Sequence, residues 1–243
     1  ILLSTFLKRY NQLLPEKTTE EEYWYDLIEE KSSASHPSPF RFIYFTMQPD
    51  QIDPFSFKEA ITELFGKYIP ILWEDETTGI LIEEISFMEE QIDYAQIIGI
   101  LMADLSVLIH FYIGDIQTDS SNIKQYYTFL MKGGKIIFQL TNKEVISYQQ
   151  SIPYLLLHQT DQQTKKQLIT SVLKKFERDE EMLQTLEMFL NYNLNVSETA
   201  KKMYMHRNSL QYRIDKFMNE TGINIQNFDE ALAVKLALIA RKS

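Results

Sequence analysis

The sequence predicts an α+β protein, with a mainly antiparallel sheet-and-helix domain followed by an all-α helix-turn-helix domain. Three observations carry that reading. From Phe40 to about residue 141, short β-branched and aromatic runs alternate with amphipathic helical runs. After Tyr154 to Leu157 every periodic segment has helical spacing. Charge divides along the same line: residues 1–160 hold 11 Lys+Arg against 23 Asp+Glu, whereas residues 161–243 hold 13 against 11.

Composition narrows the function classes. At 243 residues the chain is long enough for one large domain or two modest ones. It has no cysteine, which excludes disulfides, thiolate metal sites and cysteine nucleophiles, and fits a cytoplasmic protein. It begins Ile-Leu-Leu, with no signal-peptide pattern, so we expect the natural N-terminus to lie further upstream. The apolar stretch from Ile97 to Gly114 contains Asp104, Ser106 and His110. It reads as a buried helix running into a buried strand, so no membrane partner is expected.

Residues 1–31 read as two helical pieces around Pro15, the second opened by a Thr18/Glu21 capping box. Ser32 to Pro39 is a Ser/Pro-rich connector. A strand is predicted over 41–48, a helix over 55–66 ended by Gly66, and a hairpin joining "IPILWED" to "GILIEEI". A helix over 93–105 and a strand over 106–114 come next. The spacing then predicts a helix over 121–134 stopped by Gly133, and a strand "KIIFQLT" after it. This β-α-β-β-α-β-α-β order suggests a sheet with its helices on one face. Amphipathic helices are predicted over 163–177 and 180–192. The last helix, "FDEALAVKLALIARK", is apolar on nearly all sides and must be buried in its domain or against a second chain.

The most basic stretch, "NVSETAKKMYMHRNSLQYRIDKF", spans residues 195–217 of an otherwise acidic chain of net charge −10. Overall acidity repels phosphate and argues against a general nucleic-acid coat, but a local basic island suits contact through one surface. Asn195 is a helix cap, with Ala200 and Met203 facing inward from its helix. Tyr204-Met205-His206 has the length of a helix-turn-helix turn, and His206 is placed to cap the next helix. On that helix Leu210, Ile214 and Phe217 fall within about 60° of one another, a buried stripe. Opposite lie Asn208, Ser209, Gln211, Tyr212 and Asp215, with Arg207 at the N-terminal lip. Arg pairs bidentately with guanine and Asn or Gln with adenine, whereas Ser and Tyr serve bases or phosphates. Lys201, Lys202 and Arg213 are expected to clamp the phosphate backbone.

Residues from about Tyr154 onward resemble the C-terminal domain of PucR/CdaR-type bacterial transcription regulators. His206-Arg207-Asn208-Ser209-Leu210 followed by Tyr212-Arg213-Ile214 is similar to that family's H-R-N-T-L-x-Y-R-L signature, with Ser for Thr and Ile for Leu. Met182 to Glu187, "TGINI" and the Leu/Ala-rich final helix add to the likeness. The unit also resembles the Fis-type helix-turn-helix, which implies that Arg207, Ser209, Gln211 and Tyr212 face DNA. The preceding section, through "IGDIQTDSSNIKQYYTFLMKGGKIIF", resembles a degenerate GGDEF-like domain but has no G-G-D/E-E-F sequence. The resemblance implies three parts: an N-terminal helical segment and linker over 1–37, a GGDEF-like domain over 38–158, and a DNA-binding domain over 159–243. The helix-turn-helix itself spans about 195–220.

The basic stretch and the resemblance together imply a cytoplasmic regulator that binds a double-stranded DNA operator as a homodimer or higher homo-oligomer, with no cofactor. Fourteen tyrosines and fifteen phenylalanines, concentrated in the α+β section, suit an aromatic-lined site for an unidentified small-molecule effector as well as they suit a core. His36, His110, His158 and His206 lack metal-site spacing, and Glu83-Glu84 and Glu89-Glu90 alternate across strand faces. No P-loop, Rossmann or nucleophile-elbow motif is present, so no enzyme is expected. The alternatives are a protein-interaction module or a nucleotide-processing enzyme built on the α+β domain.

Overall fold

The computed structural model describes residues 14–31, 36, 39–86, 92–104 and 106–242. The chain divides into two compact units, Ile1–Ser151 and Ile152–Ser243. The helical piece expected before Pro15, and most of the Ser32–Pro39 connector, lie outside the described residues.

In the first unit, helix α1 (Thr19–Ile28) opens on the expected capping box, with Thr18 and Glu21 each accepting from the other's backbone N–H. Five strands form an open sheet: β1 (Phe40–Met47), β2 (Ile71–Trp73), β3 (Thr78–Glu84), β4 (Ile109–Ile113) and β5 (Val145–Ser147). Their order is β2-β3-β1-β4-β5. The β2/β3, β3/β1 and β1/β4 pairs are antiparallel and β4/β5 is parallel.

Alternate residues of β1 build a core on each side of the sheet. Ile43, Phe45 and Met47 join Phe57 and Ile61 of α2 (Pro54–Phe65) and Ile98 of α3 (Tyr94–Asp104) in one buried cluster. Asp53 caps α2, and Gly66, at φ 66°, ends it in the left-handed conformation that suits a residue without Cβ. On the opposite side Phe42 stacks on Tyr126, and Tyr44 on Phe138, both from α4 (Ile123–Leu140). Trp24 of α1 packs edge-on against Phe40. Helices therefore cover both faces, not the one expected. The aromatic residues largely fill core, with Trp24, Phe40, Phe42, Phe45, Phe111 and Tyr112 fully buried.

A second expectation fails at Gly133. The helix does not stop there; α4 continues to Leu140, and the last strand is Val145–Ser147 rather than the run after Gly134. Packing is the reason. A Cβ on Gly134 would run into the ring of Tyr44, and one on Gly133 would lie 2.9 Å from Cε1 of Tyr112. The paired glycines let α4 press directly onto β1 and β4. The order β-α-β-β-α-β-α-β holds with the last strand displaced. The apolar stretch from Ile97 resolves into α3 and then β4, and among the described residues no helix is long and apolar enough to cross a membrane.

Helix α5 (Tyr148–His158) contains Pro153 and crosses the division between the units. The second unit continues all-helical. Asp161 caps α6 (Gln162–Leu173), where the predicted 163–177 helix breaks at Lys174, φ 49°, into a 3-10 turn over Lys174–Arg178. Then come α7 (Glu180–Asn191), α8 (Val196–Lys202), α9 (Arg207–Thr221) and α10 (Phe228–Lys242). One apolar cluster holds them, including Leu173, Leu186, Phe189, Ile214, Phe217 and Val234. The final helix spends most of its apolar surface there, through Ala231, Val234, Ala237 and Leu238, while Phe228 and Leu232 stay exposed. Lys235 Nζ reaches Asn191 Oδ1 at 3.0 Å.

Candidate nucleic-acid interface

The basic stretch folds as two helices around a tight turn, and local chemistry fixes each end. Asn195 Oδ1 accepts from the backbone N–H groups of Ser197 and Glu198 at 3.0 and 3.1 Å, starting α8. Ala200 is buried, and its small side chain leaves room for a crossing helix. After Lys202 the chain turns at Tyr204, whose φ of 52° lies in the left-handed region. Met205 N–H returns to Ala200 O at 2.9 Å and closes the turn. His206, in extended conformation, caps α9, its Nδ1 accepting from Asn208 N–H at 3.3 Å. Gly222, at φ 72°, ends α9.

Burial separates the two faces of α9 as its spacing requires. Leu210, Ile214 and Phe217 are fully buried in the unit's apolar cluster. Arg207, Asn208 and Ser209 are exposed in the first turn, and Tyr212 is 71% exposed one turn on. Gln211 is half-buried and donates to Asp215 Oδ1 at 2.8 Å. Lys201 and Lys202 are exposed at the end of α8, Lys202 Nζ lying 6.0 Å from the Tyr192 ring centroid. Among the described residues neither Lys201 nor Arg207 has an ion pair. Arg213 differs: it is half-buried and turned toward α7, where it meets Glu181 and Thr185.

The structure thus gathers the nine expected residues at one turn and the two helices flanking it, with the Arg213 side chain directed toward α7. Two exposed groups lie outside the expected set. Tyr204, 98% exposed, stands at the turn itself. Lys216 lines a groove with Asn208, Ser209, Tyr212 and Arg213, flanked by Asp179 and Glu181 of the α7 start. The spacing carries the Lys216 signal, since it sits about 40° from Tyr212 around the helix. Tyr204 has no such signal, because a connector has no periodicity.

Residues 182–240 match the PucR C-terminal helix-turn-helix domain. This segment is similar in sequence to that domain along its whole matched length. Among relatives, the protein YxkF of Bacillus subtilis (strain 168) is 27% identical over all of this chain and 84% of its own length. The purine catabolism regulatory protein of the same organism is 33% identical over 29% of this chain. The carbohydrate diacid regulator of Escherichia coli (strain K12) is 32% identical over 27% of this chain. The chain spans only 13% and 17% of the lengths of those two regulators. Their names state regulation, not catalysis. Among the described residues no group of three or more His, Cys, Asp or Glu could hold a metal ion.

Proposed function

We propose that this protein is a sequence-specific DNA-binding transcriptional regulator of the PucR/CdaR type, reading the major groove through the start of α9. The observation that carries the proposal is the capped, exposed first turn Arg207-Asn208-Ser209, standing on a fully buried Leu210/Ile214/Phe217 stripe. A recognition helix inserts its N-terminal residues into the groove and needs this combination of free polar side chains and rigid support. Arg207 and Asn208 read base edges, with Ser209, Gln211 and Tyr212 beside them. Lys201 and Lys202 contact phosphates, and the His206-capped helix start favours another. Tyr204 and Lys216 extend the contact surface.

One recognition helix makes a small interface, so a dimer would read two half-sites about 34 Å apart. The first unit then serves as a degenerate GGDEF-like regulatory domain of a cytoplasmic protein. Its β-α-β-β-α-β-α-β order and open sheet support that role, and isothermal titration with small molecules tests it for an effector. Arg207→Ala is expected to lower discrimination between operator and unrelated DNA by about 10- to 100-fold, while leaving the circular dichroism spectrum unchanged. Selection from random genomic fragments followed by gel shift checks this. A variant that still picks out the operator at full selectivity sinks the assignment, and a wild type that enriches no motif points to a protein partner instead.

A further inference from the structure

We propose that Arg213 is a positioning residue that braces the reading helix against α7, not a phosphate contact; this rests on the DNA-reading proposal above. Within the basic stretch its guanidinium is unlike the other cations. One nitrogen donates to Thr185 Oγ1 at 3.3 Å and the other pairs with Glu181 Oε1. Thr185 is fully buried, and its hydroxyl in turn donates to Glu181 O at 2.8 Å. The fork therefore grips two successive turns of one helix, and one of its acceptors, the Thr185 hydroxyl, is itself held in place. Moving Arg213 to a phosphate would break both bonds and leave the buried Thr185 oxygen without that donor.

The arrangement also disposes of a charge. Glu181 is 70% exposed in the first turn of α7, where the helix dipole favours a carboxylate, and it flanks the groove lined by Asn208, Ser209 and Tyr212. Unpaired, it would repel DNA beside the reading face. Arg213 turns that liability into the brace.

The test measures operator affinity against salt concentration for wild type, Arg213→Ala, Arg213→Lys and Thr185→Val, with Lys201→Ala as a reference phosphate contact. Each lost phosphate contact lowers the slope of log affinity against log salt by about 0.9. Arg213→Ala and Arg213→Lys should both weaken binding about tenfold with the wild-type slope, because Lys keeps the point charge but cannot span both acceptors. Hydrogen exchange of free protein should quicken at the Leu210 to Ile214 amides in both variants, and in Thr185→Val. A slope lowered in Arg213→Ala and restored in Arg213→Lys, or unchanged amide protection, overturns the brace. Absence of any operator preference in the wild type instead defeats the DNA reading, and the exchange measurement still decides the brace.

Discussion

The two units satisfy their buried polar groups in opposite ways. In the first, partners come from far along the chain. Glu21, 2% exposed, accepts from Lys58 Nζ at 2.7 Å, Tyr68 Oη at 3.0 Å and Ile71 N–H at 3.1 Å. Arg41 on β1 meets Glu83 on β3 at 2.5 Å, and Tyr94 of α3 donates to the same carboxylate. The hydroxyls of Tyr112 and Ser151 lie 3.0 Å apart. In the second unit, the buried hydroxyls of Thr185, Thr199 and Thr221 each donate to the carbonyl four residues back, at Glu181, Asn195 and Phe217. The first unit's polar core exists only once helices and strands have met. The second unit's buried hydroxyls each find an acceptor within their own helix, although Thr185 also accepts from Arg213 of α9. That leaves the unit's tertiary stability chiefly to the apolar cluster.

The largest effect that tests this contrast belongs to Glu21. Burial raises its carboxyl pKa, but the bonds from Lys58, Thr18 and Ile71 outweigh that and hold it below the ordinary value. A depressed carboxylate contributes stability above its unfolded pKa and loses it as pH falls through the folded one, so the first unit should weaken below about pH 4. Glu21→Ala strands Lys58 and the Ile71 N–H and is expected to cost about 3 kcal/mol. Both tryptophans, Trp24 and Trp73, lie in the first unit, so their fluorescence in urea follows that unit alone. An unchanged midpoint would show that the carboxylate is no hub.

Gly134→Ala comes next. Its Cβ would press into the Tyr44 ring, and the overpacking should destabilise the first unit by roughly 2 kcal/mol despite alanine's better helix propensity. Thr199→Val in the second unit should cost less than about 1 kcal/mol by circular dichroism, because the Asn195 carbonyl also accepts from the Thr199 N–H. A loss as large as that of Glu21→Ala would break the contrast between the units. The smallest effect has the opposite sign. Gly99, inside α3, has nothing within 4 Å of where a Cβ would go, so Gly99→Ala should stabilise by roughly 0.5 kcal/mol.

The same contrast explains what is legible in the sequence. Caps, the α8–α9 turn and the buried stripe of α9 can be read because each depends on residues within a turn or two. So can the exposed start of α9, which the stripe fixes by elimination. The length of α4 cannot, because the meaning of Gly133-Gly134 depends on Tyr44 and Tyr112 from other elements. The second helical layer does leave a sign: Phe42-Ile43-Tyr44-Phe45 is apolar without alternation, as in a strand covered on both faces. Spacing does not reveal the partners of Arg213 for the same reason that it cuts α4 short. The partners of Arg213, Glu181 and Thr185, are 32 and 28 residues away.

The sheet's margins have a consequence for colloidal behaviour. Both outer strands, β2 and β5, are only three residues long. Unpaired backbone at a sheet margin is a template on which foreign strands add and fibrils grow. Here either margin could gain only a few hydrogen bonds from an intruder, so this open sheet resists edge-to-edge aggregation without having to close into a barrel.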